Sequence, residues 1–278
     1  MKLMAVVVLY HPQPTVIDNI KTYLDDVDQL LVLDNSEKAQ EKGSMAQACS
    51  ALPHSRYVAF GDNMGMAYAL NYALQLANSY DYLLTMDQDS SFPTGMVQRY
   101  KETVNHFPDK TVAMFGGNYD HKTSDKPFKY EKKIITSGAM LNVSMAKELG
   151  GFDEQLFIDE VDSEFCYRAR QHGQKIVMLY DIQFDHELGE LKEEINIFGN
   201  KKMCVGCHEP LRMYYIMRNK VYVMKRYPQV IFPYLCYFKS RLRSLFLGYQ
   251  YKRAETRRMI LRGIKDGVLN HMGKYGHL

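Results

Sequence analysis

Tryptophan is absent from the 278 residues, and cysteine is scarce. Five cysteines, at positions 49, 166, 204, 207 and 236, are odd in number and irregular in spacing, which argues against a disulfide framework. No cationic leader precedes the first apolar run, so a secretory signal is not expected. The apolar stretch at 230–247 carries Lys239, Arg241 and Arg243 within it and makes a poor spanning segment. There is no Gly-x-Gly-x-x-Gly loop and no Walker-type Gly-Lys-Ser/Thr, which excludes ordinary dinucleotide and P-loop readings. Internal repeats and low-complexity tracts are also missing. What is present is a globular composition, 46% hydrophobic and 24% charged, with 21 tyrosines and 17 methionines. These features together suggest a cytoplasmic protein.

The formal net charge of +3 conceals an asymmetry. Residues 212–278 hold 15 Lys/Arg against only Glu255 and Asp266, while the rest of the chain holds 20 basic and 30 acidic residues. A basic tail on an acidic body suggests a membrane surface or another polyanion as partner.

Apolar runs alternate with helical periodicity over the first half. Strands are expected at 3–10 (LMAVVVLY), 29–33, 56–60, 80–86 and 111–115. Helices are expected at 15–27, with Val16, Ile20 and Leu24 on one face, at 66–77, and from Pro93 onward. This alternation predicts an α/β fold with a mostly parallel sheet covered on both faces. Residues 118–133 read as a loop and 134–143 as a strand broken at Ser137-Gly138-Ala139. Ser144 is the expected N-cap of a short helix ending at Gly150-Gly151. A helix at 160–172, closed by Gly173, and a strand at 175–184 follow. Residues 188–207 read as a mobile polar loop. Helices at 213–226, 234–249 and 256–269 complete the chain, with breaks at Pro228 and at 248–252. The second of these helices can be an interfacial amphipathic helix or part of a layer packed on the body, and both can hold.

Polar chemistry gathers at strand ends: Tyr10-His11, Asp34-Asn35, Asp62-Asn63 and Asp87-Gln88-Asp89. In open α/β sheets that is where a nucleotide sits. Asp87 and Asp89 can reach one ligand, and hard carboxylate oxygens suit Mg²⁺ or Mn²⁺; the plain alternative is a solvated turn. In Asp159-Glu160-Val161-Asp162-Ser163-Glu164, Asp162 lies near a helix start, where a carboxylate is held as an anion able to accept a proton. Acids at a helix start are also ordinary helix design. Glu164 and Arg168 can pair at i,i+4. His186 can join the carboxylates as an imidazole ligand or be a surface histidine. Cys204-Val205-Gly206-Cys207-His208 matches a haem-attachment string, but no oxidising context accompanies it. Tyr214, Tyr215, Arg218, Asn219 and Tyr222 fall at helical spacing, as core contacts or, for Arg218, as a phosphate partner.

The order of these motifs over residues 2–226 resembles the family 2 glycosyltransferases with the GT-A fold. Asp34-Asn35-Ser36 is similar to that family's D-N-x-S element, and Asn63, Gly65, Ala69 and Asn71 to its N-x-G-x-x-x-A-x-N element. Asp87-Gln88-Asp89 resembles its D-x-D string. Ser137-Gly138-Ala139 and Gly150-Gly151-Phe152-Asp153-Glu154 resemble its small-residue turn and G-G-F-D-E element. Against the usual E-D-x-D, Val161 replaces the Glu and Glu164 takes the place of the second Asp. The stretch from Asp159 to Arg168, His186-x-x-Gly189, and the run from His208 to Tyr215 continuing to Arg218-Asn219 look most like the rhamnosyltransferase branch.

The resemblance implies a nucleotide-sugar-binding half at 1–117, an acceptor half at 118–210 and a basic helical region at 211–278. It implies inverting transfer from a nucleotide diphosphate sugar, dTDP-L-rhamnose in this branch, to a glycan or lipid-linked acceptor of bacterial cell-surface polysaccharide. Asp162 would be the catalytic base. Tyr10, Asp34, Asn63, Gly65, Asp87 and Arg218 would bind the donor. Asp89, Asp87 and His186 would hold Mn²⁺ or Mg²⁺. A UDP-hexose or UDP-galactofuranose donor, a nucleotidyltransferase, a binding module without turnover and a basic membrane adaptor are the other readings. No nucleic acid partner is expected. Peripheral attachment to the inner face of the plasma membrane and a homodimer through the C-terminal helices are further expectations.

Overall fold

The structure, a computed structural model, describes residues 1–40, 42–186, 191–195, 201–205, 208–247 and 253–276; for 191–195, 201–205, 244–247 and 253 only the backbone is described. Gly189, Cys207 and the expected break at 248–252 lie outside the described residues. The chain divides into two compact units, Met1–Glu154 with Val161–Glu187, and Gln155–Glu160 with Leu188–Leu278.

The first unit is built on strands β1 (Leu3–Leu9), β2 (Gln29–Asp34), β3 (Ser55–Ala59), β4 (Tyr82–Asp87), β5 (Ser90–Ser91), β6 (Val112–Asn118), β7 (Phe128–Tyr130), β8 (Ala139–Asn142), β9 (Lys175–Gln183) and β10 (Asp185–His186). Its helices are α1 (Val16–Leu24), α2 (Ser44–Ser50), α3 (Met66–Leu76), α4 (Met96–Asn105), α5 (Val143–Glu148) and α6 (Val161–Gln171). Eight strands form one sheet in the order β3-β2-β1-β4-β8-β6-β9-β7. β3, β2, β1 and β4 are mutually parallel, whereas β8 runs antiparallel between β4 and β6.

Every residue of β1 is buried, as a strand covered on both faces requires. Leu3, Ala5, Val7 and Leu9 share one core with Ile20 and Tyr23 of α1, Cys49 of α2, and Val97, Tyr100 and Val104 of α4. The alternate residues Met4, Val6 and Val8 are buried on the opposite face, and α3 packs beside β1. Register then positions the chemistry: Leu9 lies opposite Asp34 on one side of β1, and Val8 opposite Asp87 on the other. Two carboxylates thus flank the C-terminal end of one central strand.

Several local expectations shift. α4 begins at Met96 rather than at Pro93, because Pro93 and Gly95 form the turn ahead of it, with Gly95 at φ 75°. Asn142, not Ser144, caps α5: its Oδ1 accepts the Met145 N–H at 3.1 Å and the Ser144 hydroxyl at 3.0 Å. The 118–133 stretch contains β7, and β6 runs on through Gly116 and Gly117.

The second unit holds the helices α7 (Pro210–Arg226), α8 (Ile231–Leu247) and α9 (Arg253–Leu269). Within the expected loop at 188–207, the described residues form an antiparallel pair, β11 (Leu191–Ile195) and β12 (Lys201–Val205), whose register sets Glu194 opposite Lys202. α9 approaches α7 through Gly263 and Gly267, where an added Cβ would overlap the backbone carbonyls of Tyr214 and Arg218. Among the described residues no helix is long and apolar enough to cross a membrane.

Candidate active site

At the end of β1 the chain turns at Tyr10, which is exposed, and His11, which has φ 46°. The Gln88 amide meets this turn edge-on. Its Oε1 accepts the Tyr10 N–H at 2.8 Å, and its Nε2 donates to the Tyr10 carbonyl at 3.2 Å. Asn19 of α1 donates to the Gln88 carbonyl at 2.9 Å. Gln88, which sequence reasoning passed over, therefore fastens the Asp87–Asp89 corner to the first strand.

Asp34 is 4% exposed. Its Oδ1 accepts the Ser36 N–H at 3.0 Å, and its Oδ2 accepts the Tyr57 hydroxyl at 2.6 Å. Ionised carboxylates have further acceptor capacity beyond two bonds, but little of this group reaches the surface. The neighbouring turn is cross-tied. Asn35 donates to Asn63 Oδ1 at 3.2 Å, that same oxygen accepts the Gly65 N–H at 3.0 Å, and Asn35 Oδ1 accepts the Met64 N–H at 2.8 Å. Gly65, at φ 89°, supplies a backbone shape that side-chain-bearing residues rarely adopt just ahead of α3. Tyr10, Asp34, Asn63 and Gly65 thus all border the C-terminal ends of β1 and β2.

Asp87, Asp89 and His186 come together, with potential ligand atoms all within 4.8 Å of one another. The device is a two-residue antiparallel bridge in which β10 pairs with β5 and His186 faces Ser90. His186 Nδ1 lies 3.1 Å from Asp89 Oδ1 and 2.8 Å from Ser90 Oγ. A proton on Nδ1 would leave Nε2 as the lone-pair nitrogen. Ser90 Oγ is also 2.7 Å from Ser137 Oγ, which accepts the Asp87 N–H at 3.2 Å. Behind the bridge, Phe184 is fully buried, and it sits where a Cβ on Gly117 or Gly138 would fall. The small-residue turn at 137–139 is therefore what allows Phe184 to pack and β10 to deliver His186. Two carboxylates and an imidazole form a donor set suited to Mn²⁺ and, through the carboxylates, to Mg²⁺.

Asp162 is the second residue of α6 and half-buried. Its Oδ1 accepts the Ser163 N–H at 2.6 Å, and Lys133 reaches Ser163 Oγ at 3.2 Å. The helix terminus favours the anion. Two residues on, fully buried Glu164 is held by Arg168 in a two-point pair, Nε–Oε1 2.9 Å and Nη2–Oε2 2.8 Å. Arg168 also donates to the carbonyls of Leu149 and Gly151. Asn71 grips the same turn from α3, accepting the Phe152 N–H at 2.7 Å and donating to the Phe152 carbonyl at 2.9 Å and to Glu154 at 2.8 Å. Gly151 has φ 74°, and a Cβ there would overlap the Asn71 amide. These ties set the start of α6, and with it Asp162, against the sheet.

Arg218, expected as a phosphate partner, is placed otherwise. It is fully buried in the helical unit, where its guanidinium donates to the Asn219 side chain and to the carbonyls of Gly273, Leu156 and Gln155. It also stacks over Tyr215 with 4.9 Å to the ring centre. Asn219 donates to the carbonyls of Leu156, Ile158 and Asp159 at 2.6–2.9 Å. The pair braces a segment in which Phe157, Asp159 and Glu160 all have φ near +60°. Glu160 is secured in turn by Lys220 and the Tyr234 hydroxyl. Asp159 accepts Arg212 on one oxygen, and burial raises its carboxyl above the usual range despite that neighbour. Burial likewise pushes the Cys49 thiol up to about 11 and Cys166 up to about 12, so neither is suited to nucleophilic chemistry.

Known proteins place this arrangement. The sequence profile described as Glycosyl transferase family 2 matches residues 5–168. The dTDP-rhamnosyl transferase RfbF of Shigella flexneri is 25% identical over 245 residues, 80% of this chain and 79% of its own. Among solved structures, GalNAc-T7 with UDP, GalNAc and Mn²⁺ superposes with a TM-score of 0.57 at 12% identity, over 81% of this chain but only 48% of that one. TarS 1–349 of S. aureus in complex with UDP-GlcNAc gives 0.54 at 13% identity, over 97% and 73%. The fold is of the GT-A type. With its profile match spanning the strand ends, the Asp87–Asp89 corner and most of α6, the chain belongs to glycosyl transferase family 2, and within it is similar to a dTDP-rhamnosyl transferase.

Proposed function

We propose that the protein transfers L-rhamnose from dTDP-L-rhamnose to a hydroxyl of a lipid-linked or oligosaccharide acceptor, with inversion at the anomeric carbon, in the synthesis of bacterial surface polysaccharide. The observation that carries the chemistry is the convergence of Asp87, Asp89 and His186 at the C-terminal edge of a parallel sheet. The alignment with a dTDP-rhamnosyl transferase over most of both chains supports the sugar. A divalent cation held by Asp89, Asp87 and His186 would neutralise charge on the leaving diphosphate. Asp34 and Tyr10 receive the base, and Asn63 and Gly65 shape the turn beside it. Asp162 accepts the proton of the acceptor hydroxyl as its oxygen attacks the anomeric carbon. The bond from that carbon to the diphosphate breaks, and the nucleoside diphosphate leaves on the opposite face.

A UDP-sugar donor is the second reading, since the similar folds of GalNAc-T7 and TarS are solved with UDP or UDP-GlcNAc. The two separate in a donor screen across dTDP-rhamnose, UDP-hexoses and UDP-galactofuranose with Mn²⁺ or Mg²⁺, reading release of nucleoside diphosphate. Preference for dTDP-rhamnose is expected. A clear preference for a UDP-hexose would replace the rhamnosyl assignment, and release unchanged by EDTA would remove the metal.

A further inference from the structure

α8 has two unlike faces. On one, Tyr234 is 5% exposed, and Tyr237 and Phe238 pack on Met213, Ile216, Met217 and Ile260. Lys220 lies over the rings of Tyr234 and Tyr237, and Arg241 donates to the Tyr237 hydroxyl at 3.1 Å. This face is committed to the helical unit. The other face is apolar and uncovered: Ile231 is 41% exposed, Phe232 77%, Leu235 51% and Leu242 47%.

With 3.6 residues per turn, Ile231, Leu235 and Leu242 fall on one narrow stripe. Phe232 stands at its edge on the same side as Lys239 and Arg243, both exposed. Single exposed apolar residues are ordinary, but a row of them on one helix face marks a surface with a partner. Charge decides which partner. α8 itself, Ile231–Leu247, contains Lys239, Arg241 and Arg243 and no Asp or Glu. A second copy of this face would bring cations against cations. A surface combining acyl chains with anionic headgroups satisfies both the stripe and its flank.

We infer that the outer face of α8, with Ile231, Phe232, Leu235 and Leu242 as its apolar stripe and Lys239 and Arg243 as its cationic flank, docks onto an anionic lipid surface. The helix lies in the interface plane, as 17 residues with three cations cannot cross it. Docking is separate from the assignment of donor sugar, because it is read without turnover.

The test is flotation of the full chain with phosphatidylcholine vesicles, with and without phosphatidylglycerol, at low and high salt. The chain should float with the anionic vesicles, and salt should weaken binding. Phe232→Ser/Leu235→Ser and, separately, Lys239→Glu/Arg243→Glu should each lower the partition coefficient at least about tenfold. All four positions are exposed, so folding is retained, as circular dichroism would verify. Equal binding to neutral and anionic vesicles, or binding indifferent to both double variants, overturns the inference. So does light scattering that shows a dimer which Phe232→Ser/Leu235→Ser converts to monomer without any vesicle binding.

Discussion

Gln88 carries no charge, yet both of its side-chain bonds go to the backbone of Tyr10. Removing them in Gln88→Ala loosens the junction between the first strand and the Asp87–Asp89 corner. At about 0.5–1.5 kcal/mol per hydrogen bond, donor KM should rise by about three- to tenfold with a smaller change in kcat, measured by initial rates. Asp162→Asn keeps the shape but cannot accept a proton. Its kcat should fall by about 10²–10⁴-fold while donor affinity, measured by calorimetry, stays within about twofold; full activity in that variant would remove Asp162 as the base. Asp89→Ala should instead weaken donor binding in the presence of Mn²⁺ and leave metal-free binding nearly unchanged. Ser90 and Ser137 are the residues that link the Asp87–Asp89 corner to His186, and neither stands out by charge.

At the scale of elements, two helix contacts carry predictions. α6 is tied to the Gly150-Gly151 turn by Arg168, whose partner Glu164 is fully buried. Arg168→Ala strands that carboxylate, and unfolding in urea should show a loss of about 3–5 kcal/mol. Glu164→Gln/Arg168→Met should lose less than the single variant, because no buried charge remains. α9 meets α7 at Gly263 and Gly267. Alanine is the better helix former by about 1 kcal/mol. Gly263→Ala should nevertheless destabilise by about 1–3 kcal/mol in a urea titration, because its Cβ would press on the Tyr214 carbonyl. A stabilised variant would show that the two helices can move apart without loss. The same logic explains the left-handed residues Phe157, Asp159 and Glu160, which persist because Arg218 and Asn219 occupy the carbonyls around them.

For the whole molecule, acid sensitivity follows from a histidine outside the site. Burial, with Arg212 and Arg241 nearby, lowers His208 from 6.5 to about 4. Above pH 6.5 it is neutral whether folded or not. As pH falls from about 6.5 toward about 4, the unfolded chain takes up a proton that the folded chain refuses, so stability decreases across that window. His208→Gln should flatten this part of a plot of unfolding midpoint against pH. The alternation of apolar runs, the polar strand ends and the pairing of Glu164 with Arg168 were all legible in the linear chain, because each depends on neighbours a few residues apart. So was the family resemblance, carried by short strings in a given order. Three matters depended on tertiary structure. His186 reaches Asp89 only because β10 pairs with β5, and nothing local to either strand announces that bridge. Arg218 has the residue type of a phosphate ligand, but the tyrosines and carbonyls packed around it make it an internal brace. The apolar residues of α8 read alike in sequence, and only packing against α7 and α9 separates Tyr237 and Phe238, which are partly buried, from Phe232 and Leu235, which are exposed. Periodicity specifies that a helix has faces; which face is buried is set by the surfaces that happen to meet it.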